Sequence, residues 1–296
     1  MSSSELALPQ RRELALLGIA VLAVSTSGPL IAATVAPALA IAFWRNALAT
    51  AATLPLAVGK GLTTLPWRAW RATVLAGFLL AAHFATWMIG VKTTTVAAAT
   101  ALTATQPIWS ALFARIRGVR ITPAAWWGIG LAVAATAVLT GLDVRVSGRA
   151  ALGDVLALVA GVFAAGYVTA GARARRYAAT TVYTAGCYGT TSIVLAGLMA
   201  ATGVSYTGFP AADWGRIVAL TGGAQLLGHS LFNHVLRTTS PTVVSLAILF
   251  EVPGAAVLAA LFLHQRIELF QIPAFAVLIG ALALVIRAGG RAVPAE

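Results

Sequence analysis

The chain has 296 residues, 59% hydrophobic and only 9% charged, with a mean hydropathy of +0.90 and a formal net charge of +12. That balance excludes an ordinary soluble domain, and no long polar stretch is present on which the basic charge could bind nucleic acid. A single cysteine, Cys187, excludes an internal disulfide, has no metal-ligating partner set and reads as a small apolar filler.

Taken in order, apolar runs fall at 13–31, 36–58, 69–90, 93–115, 123–141, 150–171, 180–202, 213–236, 240–262 and 269–287. Each is close to the about 20 residues that cross a hydrocarbon core about 30 Å thick at 1.5 Å per residue. The gaps between them are too short to fold separately, so one membrane domain spans 1–296. Span one, with Arg11-Arg12 before it, reads as a retained helix and not a cleaved signal, since nine more spans follow. The gaps alternate between cation-rich and cation-poor. With the N-terminus inside, 14 Lys and Arg lie on the inner side. Five, Lys92, Arg145, Arg149, Arg216 and Arg266, lie on the outer side, and Arg45 falls inside span two. Cations retained on the cytoplasmic side set orientation. The expected fold is therefore an all-α polytopic membrane protein of ten helices, N-in and C-in. The net charge becomes a topology signal and a contact for anionic lipid headgroups.

Polar residues inside these runs are costly at bilayer depth and face a cavity or a partner. Span one is interrupted by Ser25-Thr26-Ser27-Gly28-Pro29, a cavity wall or gate. Span two carries Phe43-Trp44-Arg45, and span three carries His83 with Trp87 one turn later. Thr103, Gln106 and Ser110 share a face of span four, near Trp109. Tyr167 follows Gly166 in span six. Span eight carries Gln225, His229 and Asn233 at i, i+4 and i+8, hence on one face, while His234 points elsewhere and needs only a local partner. Glu251 is the one carboxylate near mid-span. It is read either as the partner of Arg45 in a buried ion pair or as a group that titrates and couples transport to protons. Pro107 and Pro253 are expected to kink spans four and nine, freeing the carbonyls of Thr103 and Leu249. Trp67, Trp70, Trp126, Trp127 and Trp214 read as interfacial belt residues.

A shift of 146 residues lays Gly77 on Gly223, Leu80 on Leu226, His83 on His229, Thr93 on Thr239 and Ala101 on Ala247. It also lays Pro107 on Pro253, Leu112 on Leu258 and Arg120-Ile121 on Arg266-Ile267. The chain then divides into two five-helix repeats, 1–145 and 146–296. Because five is odd, the second repeat enters the membrane from the opposite side. Inverted repeats of this kind mark secondary transporters, with the substrate held near the midplane between the halves. The polar stripes of spans three and eight are then the walls of one cavity, or else sites of interhelical hydrogen bonding.

Ten spans in a five-plus-five inverted repeat, the Phe43-Trp44-Arg45 element, and the stretches from Thr93 through Pro107 to Arg120-Ile121-Thr122 and from Thr239 through Pro253 to Arg266-Ile267 resemble the drug/metabolite transporter superfamily, EamA type. Two departures stand out: Val119 and Gln265 occupy places where the family often has Glu. The His83–Trp87 pair, with further Trp and Tyr at depth, resembles the family's amino acid exporters. The resemblance implies export of aromatic and other neutral amino acids by alternating access. The expected substrate contacts are His83, Trp87, Gln106, Trp109, Tyr167, Gln225, His229 and Asn233, with no cofactor and no metal. The alternative is a purine, sugar or lipophilic cargo in the same fold. Paired carboxylates and HExxH spacing are missing, which argues against an intramembrane enzyme. A ring of like charges is missing too, which argues against a channel.

Overall fold

A computed structural model describes residues 9–93, 99, 102–140, 148–254, 257–258 and 271–289. All regular elements among these residues are helical. They are α1 (Arg11–Val24), α2 (Ser27–Ala33), α3 (Ala38–Val58), α4 (Trp67–Thr93), α5 (Gln106–Ile116), α6 (Pro123–Thr140), α7 (Gly148–Ala174) and α8 (Thr180–Thr202). There follow α9 (Ala211–Leu220), a π-helical stretch (Thr221–His229), α10 (Ser230–Val235), α11 (Pro241–Ile248) and α12 (Gln271–Gly289). Among the described residues, five stretches are long and apolar enough to cross a bilayer: Arg11–Ala33, Ala38–Val58, Trp67–Thr93, Gly148–Ala174 and Thr180–Thr202. Pro123–Ala135, Pro241–Gly254 and Ile272–Val285 are shorter apolar helices. Arg145, Gln265, Arg266 and Ile267, on which part of the charge and repeat readings rested, lie outside the described residues.

The breaks in the helices have local causes. Between α1 and α2 the Ser25 hydroxyl donates back to the Val21 carbonyl (2.7 Å) and the Thr26 hydroxyl to that of Ala23 (2.7 Å). Hydroxyls that serve their own helix in this way bend or end it, so the Ser-Thr-Ser interruption falls where the sequence placed it. Pro107 behaves differently from expectation. It does not kink a continuous helix. The chain turns at Ala104–Thr105, and Pro107 sits in the first turn of α5. Its missing N–H is there one that the helix does not use. Pro253 follows a turn at 249–250 within the apolar helix Pro241–Gly254, an interruption ahead of the proline in keeping with the expected kink.

Helix packing rests on small residues. In lipid there is little apolar driving force between helices, so close backbone approach and interhelical hydrogen bonds carry the association. α4 lies along α7 and α8, α3 along α8, α6 along α12, and α1 along the π-helical stretch; α5 touches α7 and α11. At the α4–α8 seam, a Cβ added to Gly77 would come within 2.5 Å of Thr190 Cβ and 2.8 Å of the Cys187 carbonyl oxygen. Only glycine admits this approach, and Thr191 Oγ1 uses it to donate to the Gly77 carbonyl (3.0 Å). The buried apolar residues form two clusters. The larger draws on α1 to α4, on α7 to α10 and on Val244 and Ala247 of α11; the smaller joins α5, α6, α11 and α12. Large apolar side chains such as Leu22 and Ile193 are turned outward, as a lipid-facing surface requires.

Candidate functional site

At the seam between the two clusters lies a cavity of about 70 Å³. From one side α4 supplies Leu80, His83, Phe84 and Trp87, α7 supplies Ala164, Tyr167 and Val168, and the π-helical end supplies His229 and α10 Phe232. From the other come Thr103, Ala104 and Gln106, then Ser245, Ile248, Leu249, Glu251 and Val252. Ser27 completes the wall. Small-molecule pockets usually enclose about 300–1,000 Å³, so in this conformation the cavity is too small to hold a drug-sized molecule.

The His83 ring stacks on Trp87, with centroids 5.9 Å apart and an interplanar angle of 8°. Its Nδ1 lies 3.0 Å from the Ala160 carbonyl of α7. A carbonyl only accepts, so Nδ1 carries the hydrogen and Nε2 keeps a lone pair. Tyr167 donates to Asn233 Oδ1 (2.7 Å). Gln106 Nε2 donates to Ser245 Oγ (2.9 Å), which also meets Ser110 Oγ (2.8 Å). These bonds tie α5 to α11 on the smaller-cluster side of the cavity.

Six of the ten predicted substrate contacts and buried charges therefore border one space, His83, Trp87, Gln106, Tyr167, His229 and Glu251, together with Ser27 and Thr103. Four do not. Trp109 turns back to donate to Thr105 Oγ1 (3.2 Å). Asn233 stands behind Tyr167 as its acceptor. Gln225 is fully buried, accepts from Arg45 Nη2 (2.6 Å) and donates to Asn46 Oδ1 (3.0 Å). The expected stripe of Gln225, His229 and Asn233 is thus divided between two environments. The π-helical turns of Thr221–His229 are wider than α turns and re-aim these side chains. The expected direct Arg45–Glu251 ion pair is not formed either: among the described residues the one ion pair is Arg216–Asp213. Three aromatic or polar residues of the cavity went unread in the sequence: Phe84, Phe232 and Ser245. Phe84 and Phe232 gave no signal because an aromatic in an apolar run is silent. Ser245 could have been found as a hydroxyl inside an apolar helix.

The connections at the two ends of the bundle are also pinned. At one end, Asp213 Oδ2 accepts the backbone N–H groups of Val35 (3.0 Å) and Ala36 (2.8 Å), and Lys92 donates to the Thr34 carbonyl (2.7 Å). At the other end, Thr238 and Thr239 donate to the Glu13 carboxylate, and Arg175 donates to the carbonyls of Asn233 and Ala178. Burial and the neighbouring Arg237 pull the Arg175 guanidinium down to about 10. Burial, with Arg173 and Arg176 close by, also lowers Arg117. His234 has the local partner expected of it, Thr180 Oγ1 at 3.2 Å.

The described residues form a helical bundle with outward-facing apolar surfaces and a small cavity between its two clusters, the build of a membrane protein. The sequence matches the EamA-like transporter family twice, over residues 12–141 and again over 151–287, and the chain belongs to that family. A protein crystal structure superposes on it with a TM-score of 0.75, covering 96% of this chain and 99% of the other at 20% identity, a likeness of fold. No curated protein matches the chain.

Proposed function

We propose that this transporter exports aromatic and other neutral amino acids across a bacterial cytoplasmic membrane by alternating access. It does so as ten spans in two inverted five-helix repeats, with both termini inside. The observation that carries the reading is the composition of the cavity. Trp87, Phe84, Tyr167 and Phe232 supply aromatic faces, against which aromatic side chains stack. His83, Gln106, His229 and Glu251 supply the hydrogen-bonding groups that a zwitterion requires. The likeness of the His83–Trp87 pair to the amino acid exporter YddG points the same way.

The helix contacts support the inverted repeat. Exchanging the halves turns the contact of α4 with α7 into that of α1 with the π-helical stretch. It turns that of α4 with α8 into that of α3 with the π-helical stretch, and returns α3–α8, α6–α12 and α5–α11 to themselves. The seam between the two apolar clusters, each of which draws on both repeats, is then where the molecule opens. The mostly apolar wall makes a lipophilic compound the second reading. The test is uptake of labelled tryptophan, phenylalanine and threonine into liposomes holding the purified protein, with His83→Ala as control. Saturable uptake, competed by neutral amino acids and lost in the variant, is expected. No uptake above empty liposomes by a folded, inserted protein would remove the amino acid assignment, and purines, sugars and lipophilic drugs would be screened next.

A further inference from the structure

Arg45 is the least explained charge in the molecule. Its side chain is fully buried inside α3. Nη2 donates to Gln225, but Nε and Nη1 have no acceptor. No carboxylate stands within ion-pair distance among the described residues. A buried cation with unmet donors is costly, and interiors normally hold one only with an anion or full hydrogen bonding. The Phe84 ring covers it, with Arg45 Cζ 4.4 Å from the ring centroid. Phe84 also belongs to the cavity wall, where its ring meets His83 (5.2 Å) and His229 (6.0 Å). The guanidinium is therefore one aromatic ring removed from the cavity.

We propose that Arg45 is an anion socket of the cavity, closed in this conformation by Phe84, and that the carboxylate of a zwitterionic cargo occupies it when Phe84 turns aside. The inference rests on the amino acid reading above and adds which end of the cargo is held and by what. Three features make the socket fit a carboxylate. The cation is permanent, since guanidinium stays protonated. Its unmet N–H groups donate and never accept, which selects an acceptor-only anion. Gln225, itself held by Asn46, fixes one edge of the guanidinium so that less is lost in ordering it. The cation–π contact with Phe84 meanwhile stabilises the empty, closed form.

The experiment uses the full chain and three indole ligands: tryptophan, indole-3-propionate, which lacks the ammonium, and tryptamine, which lacks the carboxylate. Binding is measured to purified protein, and modification of Arg45 by phenylglyoxal is mapped by mass spectrometry. Both carboxylates are expected to bind and, in Phe84→Ala, where Arg45 is open to the reagent, to protect it from modification. Tryptamine is expected to bind roughly 10- to 100-fold more weakly than tryptophan, the range of one charge-assisted contact, and to give no protection. Phe84→Ala is expected to raise the modification of Arg45 in the absence of ligand. Arg45→Lys is expected to weaken both carboxylates and leave tryptamine unchanged; the wild-type ligand series stands even if that variant does not fold. Tryptamine binding and protecting as well as tryptophan overturns the socket. Tryptophan bound and transported normally, with Arg45 unprotected in Phe84→Ala, overturns the socket alone and leaves the transporter reading standing. Failure of both carboxylates to bind overturns the socket and the amino acid reading together.

Discussion

At the scale of single residues, the cavity depends on bonds hidden behind its wall. Tyr167 is positioned by one acceptor, Asn233 Oδ1, and the Asn233 Nδ2 group already lacks a partner. Tyr167→Phe would leave both ends of a buried amide unmet, a cost of about 1–3 kcal/mol. We expect a lower melting temperature in detergent and weaker binding of aromatic cargo. An unchanged melting temperature would mean that this bond holds nothing. The Gln225 side chain is the one acceptor of Arg45 among the described residues. Gln225→Leu should destabilise by about 1.5–3 kcal/mol, because a hydrogen bond to a charged donor is lost in a dry site. Gln225→Glu should recover the loss by giving the guanidinium a carboxylate. Equal melting temperatures for Leu and Glu at this position would refute the role given to Gln225.

At the scale of elements, close seams and irregular turns set the geometry. Gly77→Val overpacks the α4–α8 seam against Thr190 and the Cys187 carbonyl, for which about 1–3 kcal/mol is the usual cost. Thermal unfolding of the purified variant tests this, and a melting temperature equal to wild type would contradict it. The apolar runs and their small residues announced most of these helices. The Ser-Thr-Ser break in span one was equally legible, because hydroxyls in an apolar run have few other uses. Two things were not. Pro107 is compatible with a kinked helix and with a first turn, and only the turn at Ala104–Thr105 separates the cases. The π-helical stretch leaves no periodic mark in a Gly- and Leu-rich segment. Reading α spacing through it placed Gln225 and Asn233 in the cavity when they stand behind it.

At the scale of the whole molecule, the proposed topology makes opposite ends of the bundle accessible from opposite sides. Cys187 is the only cysteine and is buried. Single cysteines placed at the exposed positions Lys60 and Arg176 should then react with a membrane-impermeant maleimide only after the cells are opened. Cysteines at Val35 and Ser205, also exposed, should react in intact cells. The reverse pattern would invert the topology, and a mixed one would break the ten-span count. The family match over both halves supports transport of a small molecule, and under the alternating access proposed the cavity of about 70 Å³ must widen to admit a cargo the size of tryptophan. Exchange across liposomes tests that most directly. Liposomes holding the purified protein are preloaded with unlabelled tryptophan, and the initial rate of labelled tryptophan entry is measured against concentration. A saturable rate that rises with internal tryptophan is predicted, since a loaded carrier returns its site. A rate linear in concentration and indifferent to the internal load would contradict alternating access, as would entry no faster than in protein-free liposomes.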